Sequence, residues 1–254
     1  MNKKLITGCL LLAAAFALAF TLAPSKATIY MIGDSTMSVK EKKAYPETGW
    51  GMPFANFFDS TITIDNRARN GRSTRTFVEE GLWKPVAEGM KPGDYLLIQF
   101  GHNDEVPTKK SYTTPEDYKK YLLEFVNTAR QKKAVPVLIT PVARRTFDQD
   151  GKLKPSHPEY SQYVRDVAKA NNVLLIDLDQ QSQNLLRELG PEKSVLLFNH
   201  LAPGEHPNYP DGKQDDTHFN ELGARRMAEL VLADLVKILP DLDSHIARNK
   251  PVMK

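Results

Sequence analysis

The run Thr28-Ile29-Tyr30-Met31-Ile32-Gly33-Asp34-Ser35-Thr36 decides how this chain is read. Ile29 to Ile32 are all apolar, and Gly33-Asp34 then breaks the run, so 28–32 reads as a buried strand ending on a polar turn. Working outward, short runs rich in Ile, Leu, Val or Tyr recur at 62–65, 95–100, 135–140 and 173–177, each closed by a polar or Gly/Pro break. Continuous rather than alternating apolar runs belong to strands covered on both faces, as in a parallel sheet. Helix-length segments separate them. Thr114-Pro115-Glu116 opens the segment 115–133 with a cap and a proline at the first helical position. Tyr118, Tyr121, Leu122 and Phe125 then recur at helical spacing. Segments 159–170, 180–189 and 221–239 behave similarly, with Gly190-Pro191 as a stop. This alternation predicts an α/β fold: one three-layer α/β/α sandwich on a five-stranded parallel sheet, flavodoxin-like in type. Two long loops, 140–158 and 198–216, interrupt the pattern, and loops of that length are usually functional or mobile. The polar tail after Pro240 reads as loosely held.

The N-terminus is a different kind of segment. Asn2, Lys3 and Lys4 precede an apolar run from Leu5 to Ala23, with small residues at Ala23, Ser25 and Ala27. This is the pattern of an export signal, predicting a division into residues 1–27 and one domain at 28–254, and placement in the periplasm or outside the cell. A membrane anchor is the competing reading of the same run. Cys9, the single cysteine, follows Ile6-Thr7-Gly8 like a lipid-bearing residue but precedes most of the apolar stretch, which argues against lipid anchoring. With that cysteine gone, thiol catalysis and cysteine-based zinc sites are excluded. The 34 basic residues, less Lys3, Lys4 and Lys26, equal the 31 acidic ones, so the mature chain carries no basic footprint for nucleic acid or a membrane surface. No cofactor or metal is expected, and a monomer is assumed.

Four motifs carry the chemistry. Gly33-Asp34-Ser35-Thr36, Asn70-Gly71-Arg72-Ser73 and Gly101-His102-Asn103-Asp104 follow the first three apolar runs, where parallel sheets place their sites, and Asp215-Asp216-Thr217-His218 precedes the last helical segment. Ester cleavage needs a nucleophile, a base, a group that orients the base, and donors for an oxyanion. Ser35 is expected on a turn that opens a helix. Asp215-x-x-His218 would put a carboxylate and an imidazole on one side of a single turn, the acid fixing the tautomer that leaves Nε2 free for Ser35. The backbone N–H groups of Ser35 and Gly71 and the amide of Asn103 would be the oxyanion donors.

These blocks, in this order across nearly the whole mature chain, resemble those of SGNH (GDSL) hydrolases. By that resemblance Ser35, Asp215 and His218 form the triad, and Ser35, Gly71 and Asn103 the oxyanion hole. The longer matches Ile32-Gly33-Asp34-Ser35-Thr36, Gly49-Trp50-Gly51, Asn70-Gly71-Arg72-Ser73-Thr74 and Phe100-Gly101-His102-Asn103-Asp104 resemble the rhamnogalacturonan acetylesterases of carbohydrate esterase family 12. That implies removal of acetyl groups from an acetylated polysaccharide, the pectin backbone.

Several residues carry two readings. Trp50 is a sugar platform or a core residue. His102 contacts substrate or is satisfied by local backbone. Arg67, Arg69, Arg72 and Arg75 crowd the Gly71 loop and either pair with galacturonate carboxylates, Arg72 and Arg75 foremost, or form a solvated charged loop. Asp216 competes with Asp215 for the orienting role but reads as a surface or capping carboxylate, and His200 and His206 read as exposed. Within the same chemistry, acetylated xylan, small esters, lipids or acyl transfer to another sugar are alternatives. A metal-dependent hydrolase could draw on Asp34, Asn103, Asp104, Asp215 and His218, but the third motif runs His-Asn-Asp, whereas metallophosphoesterases need Asn-His followed by an acid. A sugar-binding domain without catalysis would have no need of nucleophile, base and oxyanion donors together.

Overall fold

The computed structural model describes residues 26–247. The expected export signal, residues 1–27, lies outside them except for Lys26 and Ala27. Five parallel strands, β1 (Ala27–Gly33), β2 (Ile62–Asn66), β3 (Tyr95–Gln99), β4 (Val135–Ile139) and β5 (Leu174–Ile176), form a sheet in the order β2-β1-β3-β4-β5. This is the flavodoxin-like order, whose reversal point lies between β1 and β3. Ala27 is already part of β1 and pairs with Ile62.

Side chains leave each strand alternately toward two cores, which is why continuous apolar runs were required. Ile29, Met31, Leu97, Val137 and Ile139 point into one core, against α1 (Gly51–Phe54), α6 (Leu178–Lys193) and α7 (Glu221–Ile238). Ile32, Leu96, Ile98 and Leu138 point into the other, against α2 (Thr74–Glu79), α3 (Trp83–Gly89), α4 (Pro115–Gln131) and α5 (Pro158–Ala170). In α4 the buried residues Tyr118, Leu122, Phe125, Val126 and Ala129 make one apolar stripe. Thr114 caps that helix by accepting the Asp117 N–H at 3.2 Å. In α6 the backbone breaks at Gly190 (φ 69°), as the Gly-Pro pair requires, and one more turn follows it.

Two expectations fail. The segment 198–216 is not a structureless loop: β6 (Phe198–Leu201) and β7 (Lys213–Phe219) pair antiparallel as a separate ribbon. Its ladder comes from backbone pairing, and its side chains are too polar to announce a strand. Nor is the end of the described chain loose. Residues 240–245 form a 3₁₀ segment with Leu242 buried, the Ala247 N–H donates to Phe57 C=O at 2.8 Å, and the Asp59 N–H donates to His245 C=O at 2.9 Å. One leucine in the apolar core outweighs the polar composition around it.

Candidate active site

β1 delivers the nucleophile. Past Gly33 the chain turns rather than entering a helix: the Asp34 carbonyl accepts the N–H of Met37 at 3.3 Å and of Ser38 at 3.1 Å. Asp34 stiffens the turn with Oδ1, which accepts the Thr36 N–H at 2.9 Å and the Thr36 hydroxyl at 2.8 Å. Burial alone would raise Asp34, but the His102 ring beside it and the Thr36 bonds prevail and hold it at about 2. A fixed carboxylate under the turn leaves Ser35 little choice of direction.

The base arrives from the ribbon by an irregularity. On β6, adjacent residues Phe198 and Asn199 face Phe219 and Asp215 of β7, so Asp216, Thr217 and His218 stand out of the ladder. This bulge, not a helical turn, brings Asp215 and His218 together. Asp215 Oδ1 accepts the N–H groups of Thr217 and His218, both at 2.9 Å, leaving Oδ2 for His218 Nδ1, also at 2.9 Å. Burial would raise Asp215, but the hydrogen bond and charge of His218 and those two backbone N–H groups hold it well below the carboxylate range. His218 Nε2 lies 2.9 Å from Ser35 Oγ. Two residues on, Asn220 caps α7 through the Gly223 N–H at 3.0 Å and donates its amide to the Leu196 and Phe198 carbonyls, both at 3.0 Å, fastening the ribbon to the domain.

The expected oxyanion donors come from the loops after β2 and β3. Gly71 sits at φ +75° with open space where a Cβ would be. The glycine is there for its left-handed backbone, then, and not to keep a side chain out of the way. Asn103 Nδ2 donates to Arg72 C=O at 3.1 Å, so this amide is tied to the Gly71 loop. Asp104 supports the same loop from beneath, accepting the Thr74 N–H at 2.9 Å and hydroxyl at 2.6 Å. Complete burial raises Asp104 to about 7 in spite of those bonds.

The neighbouring residues separate cleanly. Trp50 is a core residue, wholly buried, with its indole N–H donating to Gln99 Oε1 at 2.6 Å and its ring edge-on to Phe54, so it is no sugar platform. His102 is also buried, its ring 4.2 Å from that of His157 and its Nδ1 3.2 Å from Asp34 Oδ2, out of reach of substrate. Burial, then the charge of His157, pushes it down to about 4, so the ring is neutral at neutral pH. Arg72 is held by Glu80 at 2.8 Å and the Asn70 carbonyl at 2.8 Å. Arg75 clasps the Tyr112 and Lys110 carbonyls and Glu79. Both guanidiniums foremost in the sequence reading have partners within the chain, yet the Arg72 side chain stays 41% exposed. Arg67 pairs with Asp65 at 2.6 Å. Arg69, exposed, has no side-chain partner among the described residues, and it lines a cleft of about 550 Å³ together with Glu41, Lys43, Asn70, Arg72 and Leu82 beside the Gly71 loop. Asp216 turns to Arg145 at 2.9 Å and His200 at 2.8 Å, away from the triad geometry. His206 stands against the Tyr45 ring with centroids 5.5 Å apart.

Residues 31–226 match the GDSL-like lipase/acylhydrolase family. The chain belongs to that family. It is 42% identical to the rhamnogalacturonan acetylesterase RhgT of Bacillus subtilis over 86% of this chain and 93% of that one. A rhamnogalacturonan acetylesterase of Emericella nidulans is 42% identical over 30% of this chain and 28% of its own. The crystal structure of the YxiM protein of Bacillus subtilis superposes with a TM-score of 0.71 at 27% identity, covering 84% of this chain and 57% of that one. Family membership agrees with the five-stranded parallel sheet and with a carboxylic ester hydrolase.

Two residues at the centre of the site gave no signal in the sequence. Lys40 stands in the run Lys40-Glu41-Lys42-Lys43 and looks like any surface lysine. Glu47, directly after Tyr45-Pro46, looks like any loop carboxylate. Both lie against the triad.

Proposed function

We propose that this protein is an exported serine acetylesterase acting on an acidic polysaccharide, rhamnogalacturonan foremost. One observation carries the chemistry: Ser35 Oγ, both nitrogens of His218 and the Asp215 carboxylate stand in one line of contacts, 2.9 Å at each step. Such a relay supports transfer of the Ser35 proton to His218 Nε2 as Oγ attacks an acetyl carbonyl. The tetrahedral oxyanion is received by the N–H groups of Ser35 and Gly71 and by the Asn103 amide. Collapse breaks the ester bond, His218 returns the proton to the departing sugar hydroxyl, and an acetyl-serine remains. Water, giving a proton to His218, attacks that ester, and collapse breaks the acyl–Oγ bond, releasing acetic acid as His218 returns the proton to Ser35 Oγ.

The acidic substrate is supported by the name and identity of RhgT and by Arg69, a guanidinium without an internal partner on the wall of the cleft. Export is supported by the basic start and apolar run of residues 1–27. The test is acetate release from acetylated rhamnogalacturonan, acetylated xylan and a neutral aryl acetate, beside Ser35→Ala. Activity that disappears in Ser35→Ala and favours the galacturonate polymer is the expected result. Persistent turnover without the hydroxyl, or preference for xylan, overturns the chemistry or the substrate respectively.

A further inference from the structure

Lys43 and Lys40 differ in the way that decides a lysine's role. The Lys43 side chain is 84% exposed and pairs with Glu41 in solvent, whereas that of Lys40 is 2% exposed. A buried ammonium is tolerated only where its N–H groups all find acceptors. Lys40 Nζ has three: Ser35 C=O at 2.6 Å, Asn70 Oδ1 at 2.8 Å and Glu47 Oε1 at 2.8 Å. These belong to the nucleophile's own peptide, to the residue before Gly71, and to a carboxylate against the base. A Glu47 oxygen, an Asp215 oxygen and a His218 nitrogen all lie within 4.8 Å of one another. Ser38 Oγ reinforces the link by reaching Asn70 Oδ1 at 2.5 Å.

We propose that Lys40, paired with Glu47, is a positioning residue that pins the nucleophile turn to the oxyanion loop and offsets the charge of Glu47 beside the Asp215–His218 pair. The inference rests on the acyl-serine reading above. The charged groups facing this spot are Lys40 and Glu47 from the 38–50 segment, Asp34 beneath the nucleophile turn, and Asp215 and Lys213 from β7. Lys213 Nζ lies 3.7 Å from Asp215 Oδ2, but its side chain is 37% exposed and solvent screens it. Lys40 is thus the cation that balances Glu47. Without it, two carboxylates act on one imidazole and favour the imidazolium, which cannot accept the Ser35 proton.

The experiment compares Lys40→Met and Lys40→Met/Glu47→Gln in the full-length protein, with 4-nitrophenyl acetate as probe, thermal melting as the folding control and Ser35→Ala alongside. Lys40→Met lowers kcat by roughly 10- to 100-fold with KM within about threefold, since both reacting loops lose their shared anchor. It also moves the acid limb of the kcat/KM profile up by about one pH unit. The double variant brings the limb back without restoring kcat. A folded Lys40→Met enzyme with wild-type kcat, or with its acid limb in place, overturns the proposal. Should Lys40→Met not fold, Glu47→Gln alone leaves the ammonium unopposed and moves the limb to lower pH; an unmoved limb there overturns it equally. Activity surviving in Ser35→Ala sinks the acyl-serine reading instead, so the two failures are told apart.

Discussion

Replacing Asp215 by Asn changes one atom, and the hydrogen bonds around that side chain dictate how the variant must orient. Oδ1 is fixed by the N–H groups of Thr217 and His218, both at 2.9 Å, and only an oxygen can accept them. The Asn amide must therefore turn its NH₂ toward His218 Nδ1, which has to present a lone pair. The ring proton then sits on Nε2, aimed at Ser35 Oγ, and the base is lost. The charge is lost as well. Opposite unit charges at the 2.9 Å of the Asp215–His218 contact, in an effective dielectric of about 20, interact by about 6 kcal/mol. That sets a ceiling on the loss of roughly 10⁴-fold in kcat. Asp215→Ala removes the charge but leaves the tautomer free, so its loss is no larger than that of the Asn variant. Initial rates with 4-nitrophenyl acetate, with circular dichroism to certify the fold, measure both. A folded Asn variant within tenfold of wild type refutes the tautomer argument, as does an Ala variant markedly slower than the Asn one.

Three further expectations rest on the same geometry. Gly71→Ala meets no atom within 4 Å but is held at φ +75°, so stability falls by only about 1 kcal/mol in urea unfolding while kcat drops by up to ~10²-fold as the donor N–H is displaced; a loss above about 3 kcal/mol would mean that packing, not backbone strain, selects glycine there. Asp104 is raised in the folded state from 3.8 to about 7, so its contribution is complete below pH 3.8 and is lost as pH rises through about 7. Relative to Asp104→Asn, wild type should lose up to about 4 kcal/mol across that window, and parallel stability curves for the two proteins would show that Asp104 does not titrate there. Arg69→Leu should raise KM for acetylated rhamnogalacturonan about tenfold more than for a neutral aryl acetate, an excess that shrinks with added salt; equal effects on both substrates remove Arg69 from carboxylate recognition.

The sheet was legible because its strands are buried on both faces. Each of the runs at 28–32, 62–65, 95–100, 135–140 and 173–177 lies in the observed strand to within a residue or two at either end. The ribbon was not legible, since Lys213, Asp215, Asp216 and His218 crowd seven residues of β7, and its few core side chains, Phe198 and Phe219 among them, are too widely spaced to make a strand pattern. Ser35, Asp215 and His218 could be named from type and spacing because the chemistry restricts which residues can serve. Trp50 could not be placed, because an indole stacks on sugar as readily as it fills a core, and only Gln99 opposite its N–H decides between them. Lys40 was hidden for a related reason. Its burial depends on acceptors at positions 35, 47 and 70, and a lysine whose partners lie at such unrelated spacings is indistinguishable in sequence from one in water.

The ribbon divides the machinery between two backbones: the hydroxyl and the amide donors hang on the sheet, the proton carriers on a separate two-stranded arm. Between its strands, residues 202–212 fold over toward the opposite rim, where Asn208 donates to the Lys42 and Tyr45 carbonyls and Tyr209 to that of Ala44. Because Asp215 and His218 are fastened below this tip, by the bulge and by Asn220, the tip can lengthen, shrink or change composition without disturbing them. Such an arm is a natural place for relatives to diverge in the size and charge of the polymers they admit while the reacting atoms stay where they are.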